Sequence, residues 1–143
     1  MSHTTQVASV PIRSVSAIRS AVALLKQQGI DCELLQNQQP RAYYSDQIKQ
    51  CDYVLRLNKS RYDVGFRREN DGTYKMEMDL WAGQIACQLG DNRAKGESQP
   101  VAKFLQAYTR CAAIESAVDS GYMIESINEQ ADGTLVINVD TGA

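Results

Sequence analysis

Three consecutive stretches, Cys51 to Asn58, Tyr62 to Arg68 and Thr73 to Trp81, alternate apolar and polar residues. Successive strand side chains point to opposite faces, so each stretch predicts a half-buried strand, and together they predict an antiparallel meander. Tyr53, Leu55, Leu57, Tyr62, Val64, Phe66, Tyr74, Met76, Met78 and Leu80 fall on one face. Arg56, Asp63, Arg67, Lys75, Glu77, Asp79 and Trp81 fall on the other. The first set is expected to build a core, against helical residues such as Ile18, Val22, Phe104 and Tyr108. The second is expected to stay open to water or a partner, as one face of an antiparallel sheet can. Asn70, Asp71 and Gly72 write a hairpin turn between the second and third strands, and Asn58 to Ser60 a weaker one between the first and second.

The flanking segments predict what covers the core face. Gln6 to Ile12 alternates and reads as a short strand that Pro11 confines to an edge or to its own end. Ser14 offers an N-cap to a helix carrying Val15, Ile18, Val22 and Leu25 on one stripe, and Gly29 stops it. Cys32 to Leu35 begins another strand, and Gln36 to Ser45, rich in Gln and interrupted by Pro40, reads as a loop. Residues 82–99 read as an irregular excursion able to hold a short turn of helix; structureless loops of that length in compact domains are usually functional or disordered. Pro100 opens a second helix with Val101, Phe104, Leu105, Tyr108, Cys111, Ala112 and Val118 as its apolar stripe, and Gly121 ends it. Tyr122 to Glu129 and Thr134 to Asp140 form a closing hairpin around Asp132 and Gly133, with residues 141–143 as a tail.

The expected architecture is an α+β two-layer sandwich: a mainly antiparallel sheet of six to seven strands with two helices on one face. The chain, 143 residues with 43% hydrophobic content, fits a single domain spanning 1–143. Fifteen basic residues against seventeen acidic ones leave a net charge of -2, which gives no global field for nucleic acid or anionic lipid. No apolar run is long enough to span a bilayer, and no signal-peptide pattern opens the sequence, so a soluble cytoplasmic protein is expected. Cys32, Cys51, Cys87 and Cys111 form no C-x-x-C pair, so neither a metal nor a disulfide is expected, and the thiols read as small hydrophobes.

The candidate site residues lie on the charged face: Arg56, Asp63, Gly65, Arg67, Glu77, Asp79 and Trp81. Asp63, Glu77 and Asp79 are carboxylates on one face, able to shift one another's pKa or hold a hard cation. Arg56, Arg67 and Lys75 share that face, so cross-strand pairing accounts equally for all six. Gly65 leaves a gap in the side-chain layer, the mark of a bulge or of close approach by another backbone or a ligand. Trp81 either covers Gly65 or presents an aromatic anchor. Lys59, Arg61, Arg67 and Arg68 form a basic cluster diluted by Asp63, Glu69 and Asp71. His3, the only histidine, lacks neighbouring ligands in the sequence.

The opening Met1-Ser2-His3, the string Tyr62-Asp63-Val64-Gly65-Phe66, the segment Asp79-Leu80-Trp81-Ala82-Gly83 and the Asp132-Gly133 hairpin occur in an order and spacing that resembles the hypothetical chloroplast open reading frame 35 family. That family is a domain of unknown function in cyanobacteria and algal plastids, and the resemblance spans Met1 to about Val139. The chain has Leu80-Trp81 where the family tends to have two tryptophans, and Thr109-Arg110-Cys111-Ala112 where it tends to have Gln-Arg-Tyr-Ala. It also lacks the family's Arg-Trp ending, and so looks like a divergent member. The resemblance carries no catalytic residue. It implies a photosynthetic setting, in a cyanobacterium, in a plastid stroma, or in a virus of such a host.

Phosphate loops, nucleophile elbows and H-E-x-x-H are absent, so an enzyme of a familiar class is not expected. The leading expectation is a non-catalytic interaction or assembly module without a cofactor, engaging a protein partner through the charged face, Trp81 and residues 82–99. The alternative is a small enzyme or ligand-binding domain with a site around Arg56, Asp63 and Asp79. Nucleic-acid binding through Lys59, Arg61, Arg67 and Arg68 ranks third.

Overall fold

The computed structural model describes residues 11–44, 47–90, 100–129 and 135–140. The elements run α1 (Val15–Gln27), β1 (Cys32–Gln38), β2 (Cys51–Leu57), β3 (Val64–Arg68), β4 (Tyr74–Met78), a 3-10 turn (Trp81–Gly83), α2 (Gln84–Leu89), α3 (Ala102–Asp119), β5 (Met123–Glu129) and β6 (Leu135–Asp140). The expected Gln6–Val10 strand segment, His3, the Asp132–Gly133 turn and the 141–143 tail lie outside the described residues.

Helix α1 begins and ends for local reasons, and α3 ends for one. Ser14 Oγ accepts the amide of Ala17 at 3.0 Å, satisfying one of the donors a helix start leaves free. Gly29 takes φ +90° just past the end of α1, a left-handed conformation that side chains resist. Gly121 does the same after α3 at φ +79°. Tyr108 on α3 ties the two helices together, because its hydroxyl accepts the amides of Arg13 at 2.8 Å and Ser14 at 3.1 Å.

The fold is α+β, but the expected single sheet of six to seven strands appears as two sheets among the described residues. One is four-stranded and antiparallel in the order β1-β2-β3-β4, and the other is the β5-β6 hairpin. At the described end of the expected first strand, Ile12 forms an isolated bridge with Tyr74 at the β4 edge. Among the described residues there are three α-helices rather than two, because residues 84–89 of the anticipated excursion wind into α2.

The core lies where the alternation places it. Ile18, Val22 and Leu25 of α1 and Phe104 and Tyr108 of α3 form one buried cluster with Leu55, Leu57, Val64 and Phe66 of the sheet, with Tyr53, Met76 and Met78 half-buried against it. The Phe66 and Phe104 rings meet at 5.1 Å between centroids. Leu80 departs from the pattern: expected on the core face, it is 52% exposed. The chain leaves β4 after Met78 and turns at Asp79, so period-two alternation stops before it reaches Leu80.

Candidate functional site

The face of the sheet opposite the helices is not open along its length. Leaving β1, the chain doubles back before entering β2, and Ala42 and Ile48 from this return pack with Leu35, Cys51 and Val54 in a second, smaller apolar cluster. Gln39 Nε2 donates to the carbonyl of Ile48 at 2.8 Å, and Gln50 Nε2 to that of Asn37 at 3.1 Å, closing the return on itself. Gly65 on β3 provides the room: a methyl group there would stand 2.6 Å from both Cys51 Sγ and Pro40 Cγ. The gap at Gly65 is therefore filled by the chain itself.

Asp63 fixes the return to the sheet. It lies one residue before β3, fully buried, and its carboxylate takes the Arg41 guanidinium side-on. Arg41 Nη2 reaches Oδ1 at 2.8 Å and Nε reaches Oδ2 at 3.0 Å, while the Arg41 amide donates to Oδ2 at 2.9 Å. The Asp63 amide returns a bond to the Arg41 carbonyl at 3.1 Å. Arg41 Nη2 also donates to the carbonyls of Leu57 and Ser60, each at 3.0 Å. Hydrogen bonding to Asp63 raises the Arg41 pKa, so the guanidinium stays charged throughout the range in which the fold is used. Arg56 approaches the same carboxylate with Nε at 3.9 Å from Oδ2, beyond hydrogen-bond range.

Asp79 plays the corresponding part at the other end of the meander. Its Oδ2 accepts the amide of Tyr43 at 2.9 Å and its Oδ1 accepts the amide of Trp81 at 2.9 Å. One buried carboxylate thereby joins the return to the 3-10 turn. The result is a cluster of rings: Tyr43 and Trp81 have centroids 5.4 Å apart, and Tyr43 meets Tyr44 edge-on at 4.8 Å. Tyr43, Tyr44 and Trp81 are 59%, 65% and 61% exposed, with Leu80 beside Trp81 in sequence. Below them Tyr62 is buried, and burial together with the Asp79 carboxylate pushes its hydroxyl pKa up.

The residues singled out in the sequence therefore separate into three groups. Arg56 and Asp63 meet, with Arg41 as the principal partner of Asp63. Arg67 and Glu77 form a diagonal cross-strand ion pair, Arg67 standing opposite Lys75 and Glu77 opposite Gly65, with Arg67 Nη2 2.9 Å from Glu77 Oε2 and both side chains partly exposed. Asp79 and Trp81 belong to the aromatic cluster. Among the described residues no three His, Cys, Asp or Glu side chains converge on a point that would hold a cation. Arg41, Tyr43 and Tyr44 were not anticipated, because Gln36 to Ser45 reads as a loop. The available signal was an Arg-x-Tyr-Tyr string directly after Pro40, unusual in an otherwise polar segment.

Two comparisons find no match, neither among curated proteins nor among solved structures. A scan against family models matches residues 24–137 to the model described as "Protein of unknown function (DUF1257)".

Proposed function

The chain belongs to the DUF1257 family, whose function is unknown, and from that premise we propose that it is a non-catalytic docking module that engages a partner protein through Tyr43, Tyr44, Leu80 and Trp81. The observation that carries the reading is the exposure of three neighbouring rings, two of which, Tyr43 and Trp81, have their main-chain amides held by the buried Asp79 carboxylate. Exposed tyrosine and tryptophan offer large contact area at low conformational cost, and such residues dominate binding energy at interfaces. The core rings Phe66 and Phe104 are by contrast fully buried. Asp63 and Asp79 support the docking surface by holding the return in place, while Arg56, Gly65, Arg67 and Glu77 shape the sheet on which it rests.

The ordered motifs from Tyr62 to Gly83 support a photosynthetic setting, in a cyanobacterial cytoplasm or a plastid stroma, with the chain 1–143 acting as one domain. No helix among the described residues is long and apolar enough to cross a membrane. The test begins with a tagged chain, which isolates its partner from the cells that express it; the purified partner is then titrated calorimetrically. Trp81→Ala is expected to weaken that binding at least tenfold, about 1.4 kcal/mol, with an unchanged melting temperature. A partner held equally tightly by the Trp81→Ala and Tyr43→Ala proteins would remove the proposal.

A further inference from the structure

The turn that carries Trp81 has an unusual backbone. Among the described residues, Asn37 and Ala82 are the non-glycine residues with left-handed φ, at +52° and +57°. Asparagine visits that region with help from its short polar side chain; alanine has no such help, and its Cβ crowds the following carbonyl there. Gly83 follows with φ +65°, so two successive left-handed residues stand between Trp81 and the right-handed start of α2 at Gln84. Glycine takes that conformation freely, whereas Ala82 takes it at a cost. No burial of its side chain explains the position, because Ala82 is exposed. Both sides of the turn are fixed. On one side Asp79 Oδ1 accepts the Trp81 amide at 2.9 Å, and Oδ2 accepts that of Tyr43 at the same distance. On the other, Ile85 and Leu89 of α2 are fully buried in the main core. The strain is thus held by contacts outside the turn, and the ring the turn presents stands with its centre 5.4 Å from that of Tyr43.

We infer that Ala82 is a positioning residue of the docking surface: its left-handed backbone sets Trp81 against Tyr43 in the free chain, so that a partner protein meets a ring pair already in place. The inference rests on the docking reading and adds how its anchor is preorganised. Backbone strain persists only where the surrounding structure over-determines it, and it gathers at ligand clamps, where it fixes a group in its working position. An exposed side chain otherwise changes rotamer on the ps–ns timescale, and ordering it at the moment of binding costs affinity. A ring ordered during folding removes that cost from the binding step. Were φ of residue 82 free to leave the left-handed region, the Trp81 ring would lose its fixed relation to Tyr43, although the Asp79 bonds and α2 remain.

Ala82→Gly tests this, because glycine removes the strain and widens the conformations open to the turn. Trp81 is the only tryptophan in the chain, so time-resolved fluorescence anisotropy reports that ring alone. In the unchanged chain the decay is expected to follow overall tumbling, and in Ala82→Gly an added ps–ns component is expected. The melting temperature should be no lower than that of the unchanged chain, because relief of the strain offsets the added freedom of the unfolded state. Loss of ring order without loss of stability is a combination that a purely structural role would not produce. Affinity for the partner isolated as above should fall about two- to tenfold, the effect of ordering one side chain at binding. A Trp81 ring already mobile in the unchanged chain, or equally immobile in Ala82→Gly, would overturn the inference; the docking surface would stand if Trp81→Ala still weakened the partner's binding. A melting temperature that falls together with ring order would assign Ala82 to stability alone and overturn the inference as well. A partner indifferent to both Trp81→Ala and Tyr43→Ala would remove the docking reading and this inference with it.

Discussion

At the scale of single residues, Asp63 and Gly65 show how much a sheet position depends on what lies above it. The Asp63 carboxylate is fully buried and joined to Arg41 by side-chain and main-chain bonds. Asp63→Asn removes the charge and replaces an acceptor oxygen with a donor, leaving the guanidinium and two carbonyl contacts to readjust. Hydrogen bonds to charged groups contribute about 1.5–3 kcal/mol each, so a loss of about 2 kcal/mol or more is expected, well beyond the range of a surface pair. Urea denaturation measures it; a shift under about 1 kcal/mol would show that the pair is solvated. Gly65→Ala forces a methyl group within 2.6 Å of Cys51 Sγ and Pro40 Cγ, and overpacking of this kind costs about 1–3 kcal/mol. A Gly65→Ala protein as stable as the parent would mean that the return is not seated on β3. The sequence identified both positions as special. Its alternation assigned Asp63 a face but could not assign it a depth, because the partner stands 22 residues earlier in the chain.

At the scale of elements, helices and hairpin strands follow local signals closely, and strand ends do not. The N-cap at Ser14, the stop at Gly29 and the stripe of Ile18, Val22 and Leu25 are all where sequence places them. Ser14 does more than cap, since its hydroxyl also donates to Glu115 Oε2 at 2.7 Å and links α1 to α3. Ser14→Ala is therefore expected to cost about 1 kcal/mol through the lost cap, with a further contribution from the lost link. Glu115→Ala removes that link and leaves the cap, so a cost equal to that of Ser14→Ala would assign the whole effect to the interhelical bond rather than to the cap. The strands β3 and β4 are shorter than their alternation. Asp63 and Asp79 at their margins bond amides of the return and of the 3-10 turn instead of continuing the ladder. Period two reports which way a side chain points only while the backbone remains extended.

For the whole molecule, the buried titratable groups set a limit at alkaline pH. Burial pushes the thiols of Cys32, Cys51 and Cys111 up, and does the same to the hydroxyls of Tyr62 and Tyr74. A group whose folded pKa is raised binds its proton more firmly in the native state, so its contribution is complete below the unfolded value and is lost as pH rises through the folded one. The melting temperature is expected to hold near neutrality and to decline above about pH 8.5, where unfolded thiols begin to ionise, and more steeply near pH 10 as tyrosines follow. Cys32→Ala should remove part of that alkaline decline. Scans of the melting temperature between pH 7 and pH 10.5 or so would measure it, and a flat profile would contradict the burial of these groups.

Sequence alone determined the core face of the meander, the two long helices, the cap and stop of α1, the stop of α3, and the α+β class, because each follows from periodicity or a short-range signal. It also drew attention to Gly65, Asp79 and Trp81. Tertiary structure decided what those residues do. Only when the return from β1 lies over the sheet does Arg41 reach Asp63, Pro40 fill the space at Gly65, and Tyr43 come to rest on Trp81. These contacts join residues far apart in the chain, through carboxylates whose partners have no fixed spacing. No period or motif encodes such a meeting, because it is the packing of one segment across another that brings the groups within bonding distance.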